Sequence, residues 1–82
     1  MVLEKLKFRA SRNINLHELP DARSANLLSP WSPDYIPLGT EFGELSCILE
    51  GTGAGWCKIT FNHHNDVTTT GWVNGWLLEK LP

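Results

Sequence analysis

The sequence predicts an all-β fold, a small, partly open barrel of five to seven short strands, and three observations lead there. No window carries an apolar i, i+3, i+4, i+7 stripe for three turns, so no amphipathic helix is expected. Short runs rich in β-branched and aromatic residues, Phe42 to Leu49, Trp56 to Phe61 and Val67 to Val73, are bounded by glycine, asparagine and aspartate. A chain of 82 residues fits one core and no more, and strands this short bury two faces only by curling around it.

Taken in order, the N-terminal stretch Leu3 to Phe8 alternates imperfectly and is expected to pair with the last strand. Leu16 to Pro37 reads as a long irregular loop, about residues 17–37. Pro20, Pro30, Pro33 and Pro37 punctuate it, and proline donates no ladder hydrogen bond. Phe42 to Leu49 and Trp56 to Phe61 form a hairpin around Gly51 to Gly55, whose glycines supply positive φ. Asn62 to Asp66 is the next turn, Val67 to Val73 the third strand of a meander, Asn74-Gly75-Trp76 a tight turn, and Leu77 to Leu81 a closing edge strand. No internal repeat or low-complexity tract interrupts this single domain, 1–82.

Strand parity assigns the faces. Cys57, Ile59 and Phe61 share the inward side with Leu45, Cys47 and Leu49, while Trp56, Lys58 and Thr60 point out. In the third strand, Val73 inward places Trp72 outward. With Glu50 opposite Trp56, Cys47 faces Ile59 and Cys57 faces Leu49, so the two cysteines are diagonal neighbours about 7–8 Å apart and are expected to stay reduced in the core.

Asn15-Leu16 followed by Pro20, Leu38-Gly39-Thr40, Gly55-Trp56-Cys57-Lys58-Ile59, Gly71-Trp72-Val73 and Leu77 or Leu78 occur in the order and approximate spacing of the bacterial SH3 family, which the chain resembles over residues 13–81. The resemblance implies an SH3-like barrel with the Leu16 to Pro37 segment as the loop between its first two strands. It also implies a binding role, either attachment to bacterial cell wall or the joining of protein assemblies. The chain departs from the family at Leu16-His17-Glu18, where an arginine is usual, and over the longer stretch from Gly39 to Trp56. The acidic loop of the proline-binding eukaryotic SH3 domains is missing as well.

Net charge is −2, with charges of both signs scattered along the chain and no basic stripe to neutralise phosphates, so nucleic acid is not an expected partner. No apolar run reaches the roughly 20 residues of a membrane span, and the N-terminus lacks a secretory signal, which suggests a cytoplasmic chain or part of a larger particle or protein. The candidate ligand-binding residues are Trp31, Tyr35, Trp56, Trp72 and Trp76. Trp56 and Trp72 would floor a shallow groove walled by Trp31 and Tyr35, suited to an extended protein segment or a peptidoglycan strand. The competing account has two or three of these rings, Trp72 and Trp76 first, plugging the barrel ends.

No metal or cofactor is expected. His17, His63, His64 and Asp66 lack a convergent ligand geometry, since adjacent strand residues face opposite ways. Cys57 faces inward without a catalytic domain to hold a histidine beside it, and Asp34, Glu41, Glu44, Glu18 and Asp21 read as solvated charge. No nucleophile, base and orienting group assemble on any element, so the expectation is a non-enzymatic recognition domain. Its rival is a structural assembly domain of a bacterial or bacteriophage complex, a homo-oligomer with tryptophans buried between copies.

Overall fold

In the computed structural model, which describes residues 7–43 and 45–81, the chain forms six strands, all antiparallel. They are β1 (Phe8–Ala10), β2 (Glu41–Phe42), β3 (Ser46–Cys47), β4 (Trp56–His64), β5 (Val67–Asn74) and β6 (Leu78–Lys80). One sheet has the order β2-β1-β6 and the other β3-β4-β5; the two do not close into a barrel. The all-β class and the number of strands agree with expectation. No α-helix occurs among the described residues, and the tight turn expected at residues 74–76 is a 3-10 turn, Gly75–Leu77, capped by the Asn74 side chain on the Trp76 N–H.

The expected strand from Phe42 to Leu49 is two strands in different sheets. Phe42 pairs with Phe8, whereas Ser46 and Cys47 pair with Lys58 and Cys57. The chain bends near Gly43 and changes sheet, as strands at the corner of a sandwich do. The first strand pairs with the last as expected, with Arg9 opposite Glu79 and Ala10 opposite Leu78. That strand is Phe8–Ala10 rather than Leu3 to Phe8, and residues 3–6 of the expected stretch lie outside the described residues. The β4–β5 hairpin is longer than expected because its turn contracts to Asn65-Asp66, both at positive φ (50° and 64°), a conformation that short polar side chains tolerate.

Parity on β4 and β5 holds. Cys57, Ile59 and Val73 are buried, Phe61 packs against them, and Lys58 and Thr60 are exposed. Three of the four largest fully buried side chains, however, come from the irregular segment. Leu16, Leu28 and Ile36 are fully buried beside Ile14 and Ala10. The segment is tied down by backbone pairs rather than lying loosely over the surface: Ile14 with Ile36, and His17 with Trp72, the latter exchanging two hydrogen bonds of 2.7 Å. Gly71 makes that docking feasible, because a Cβ there would lie 2.8 Å from the His17 carbonyl oxygen and from Leu27.

The cysteines are a correction. They form a disulfide, Cys47–Cys57, with Cα atoms 4.0 Å apart and the two residues directly opposite one another. The expected register was off by two residues because the loop begins at Leu49 rather than Gly51 and closes on a bulge. The Ile48 N–H donates to the Trp56 carbonyl and the Ile48 carbonyl accepts from Gly55, so two residues of β4's entry oppose one. Gly55, at φ +90°, supplies the left-handed position that such a bulge demands.

Candidate functional site

The two sheets gape along one side, where β3 faces β1 and β6, and an open groove of about 450 Å³ occupies the gap. Phe8 and Leu78 line it from one sheet; Leu45, Leu49 and the Cys47–Cys57 disulfide line it from the other. Trp76 stands at its rim. No charged residue lines the groove among the described residues. Leu45 and Cys47 occupy the inward-facing parity that the sequence assigned to them, yet only Leu45 packs on the core; Cys47 is exposed and Leu49 is 63% exposed. The reason is the open seam: an inward-facing residue of an edge strand is covered only if another strand follows, and none does among the described residues.

Trp76 is 83% exposed, the most exposed large apolar side chain described, so it does not plug an end of the fold. Its position is set by two glycines. The Gly75 N–H donates to the Gly55 carbonyl at 2.8 Å, and a Cβ on Gly75 would lie 2.5 Å from that oxygen and 3.2 Å from Cys57 Sγ. The indole in turn lies against the bare α-carbon of Gly55, where a Cβ would come within 3.1 Å of Nε1. Glycine at both places lets the 3-10 turn press on the hairpin bulge and present the ring outward beside Leu49.

The five aromatics chosen from the sequence are divided among three places. Trp56 and Trp72 do share the outer face of β4 and β5, but the long segment folds over them. His17 pairs with Trp72 and sets its ring edge-on to Trp56 at 5.2 Å, leaving both indoles half-buried. The His17 ring is held by Nδ1–H donation to the Ser24 carbonyl at 3.2 Å. Trp31 and Tyr35 lie on the opposite side, at the far end of the hairpin. There Trp31 stacks on His63 at 3.8 Å, and His63 hydrogen-bonds Thr69, which belongs to the inward parity of β5. The expected groove with a Trp56 and Trp72 floor and a Trp31 and Tyr35 wall therefore does not assemble. Trp76, Leu49, Leu45 and Phe8 form the apolar surface instead. Leu49 and Phe8 carried no sequence signal beyond hydrophobicity, because their exposure depends on the missing closure of the two sheets.

The Arg23 backbone N–H donates to Asp21 at 2.8 Å and holds that carboxyl below the usual range on an exposed turn. No buried polar side chain and no cluster of three or more potential metal ligands occurs among the described residues. No family model, curated protein or solved structure matches the chain.

Proposed function

We propose that the chain is a non-enzymatic recognition domain that binds an extended partner, a protein segment or a cell-wall peptidoglycan strand, through the groove beside Trp76. One observation carries this reading: an indole 83% exposed stands on a turn tied to the hairpin by the Gly75–Gly55 backbone bond, at the rim of a groove lined by no charged residue among the described ones. Exposing that much apolar surface costs stability and solubility in a domain this small, and a rigid aromatic anchor beside a groove is the usual core of a binding hot spot. The bacterial SH3 resemblance points the same way, toward a binding role, on its sequence motifs alone.

The experiment compares wild type with a Trp76→Ala, Leu49→Ala double variant in sedimentation with insoluble peptidoglycan and in selection from a random peptide library. Recognition predicts that wild type retains at least one of the two partner classes and that the variant, folded by circular dichroism, loses it. Failure of wild type to bind either would sink the reading.

The neighbouring exposure of Leu49 and Trp76 also supports a second reading, an assembly domain that buries these side chains against another copy. Analytical ultracentrifugation separates the two. A monomer at tens of micromolar counts against assembly, and an oligomer dispersed by Trp76→Ala counts for it.

A further inference from the structure

The groove is flanked by an open strand edge, and the hydrogen-bond alternation of the hairpin fixes which groups face out. Ile48 exchanges its backbone bonds with the entry to β4, and Ser46 is opposite Lys58. In an antiparallel pair such bonded residues alternate with unbonded ones, so the N–H and C=O of Cys47, and of Leu45 two residues before it, point away from β4. No described residue pairs with that edge, and β3 ends its sheet. Leu45, Cys47 and Leu49 also line the groove. One row of positions thus offers both an apolar floor and main-chain groups that no described residue pairs with.

We propose that the outer edge of β3 accepts an extended segment of a partner protein as an added strand; this rests on the recognition reading above and chooses the protein segment over peptidoglycan. A residue directly opposite Leu45, Cys47 or Leu49 shares its face. Alternate side chains of the added strand therefore enter the groove and pack on Leu45, the disulfide and Trp76, and must be apolar and uncharged. The intervening side chains lie on the face of Lys58 and Thr60 and are polar. Main-chain pairing supplies sequence-tolerant affinity, and the groove supplies the preference for apolar residues at every second position. The amides of a peptidoglycan strand sit on its acetamido groups and stem peptides rather than along a backbone at strand spacing, which is why the edge favours protein.

The test is an amide and indole NMR titration of the full chain with a blocked heptapeptide alternating valine and threonine. Two further versions are N-methylated, one on every valine and the other on every threonine. Strand addition predicts shifts at Leu45, Cys47, Leu49 and the Trp76 indole. It also predicts about tenfold or greater weakening on valine methylation but not on threonine methylation, because only the valine amides face β3. Trp76→Ala weakens binding by a similar factor, and Leu49→Asp serves as a second variant should that one unfold. Equal binding of both methylated peptides overturns strand addition while leaving the groove a binding site. Groove shifts with solubilised peptidoglycan fragments but not with the peptide do the same. A peptide that binds only a chain lacking residues 2–6 overturns the proposal by assigning the edge to the chain's own N-terminus, and no response to either probe removes the recognition reading too.

Discussion

Gly75 and Trp76 illustrate how one residue's absence of side chain sets another's exposure. Adding a methyl at Gly75 would place it 2.5 Å from a backbone oxygen that cannot retreat without breaking the bulge. Gly75→Ala is expected to destabilise by about 1–3 kcal/mol, read as a lower urea midpoint at unchanged slope. Trp76→Ala, by contrast, removes a ring that is mostly in water and should move the midpoint little, so that the larger residue matters less for folding and more for binding. Asp21 adds a small pH term of known sign. Its carboxyl is held below the ordinary range by the Arg23 N–H, so the stability it lends is present above that range and fades as pH falls through the lowered value. The difference between wild type and Asp21→Ala should therefore shrink on acidification; a gap that widens would contradict the assigned contact. Of the residues chosen from sequence, the outward parity of Trp56 and Trp72 was legible from strand period alone. Their partial cover by His17 was not, because it depends on a backbone pair between residues far apart in the chain.

At the level of elements, the β3–β4 hairpin combines a glycine bulge with a disulfide. The bridge closes a short loop between residues ten apart in sequence, and loop-entropy reasoning assigns it about 2–3 kcal/mol. A Cys47→Ala, Cys57→Ala double variant should lose about that much. The native chain should resist thiol alkylation in denaturant until a reductant is added, and ready alkylation without reductant would show that the pairing is wrong. The surface pair Arg9 and Glu79, opposed across β1 and β6 and each about half exposed, is expected to contribute less than about 1 kcal/mol. The hairpins, the closing strand and the 3-10 turn could be read from turn residues and β-branched runs. The register of β3 against β4 could not, since a bulge changes it without changing the hydrophobic pattern, and the disulfide followed from that register. The division of the Phe42 to Leu49 run was equally silent in the sequence: alternation reports which face a residue takes, not which sheet it joins.

For the whole molecule, the long proline-containing segment does what an additional strand would do in a closed barrel. Leu16, Leu28 and Ile36 fill the interior from irregular backbone, and truncating one of them, Leu28→Ala for example, is expected to cost about 2–5 kcal/mol. A domain of this size holds only about 5 kcal/mol or somewhat more in total, so such a variant should keep little of its stability and unfold at a much lower urea concentration, followed by circular dichroism. Irregular spacing hides these core positions from any periodicity argument, even though the all-β class itself was plain. The segment covers the outer edge of β5, no described residue covers the edge of β3, and that asymmetry is why the apolar groove lies beside Trp76 rather than over Trp56 and Trp72. The most direct test is paramagnetic broadening of the dilute, isotope-labelled chain by a soluble neutral gadolinium chelate. The account predicts that the Trp76 indole N–H and the Cys47 and Leu49 amides broaden well before the Trp56 and Trp72 indoles. A Trp76 signal as protected as theirs would contradict an open groove.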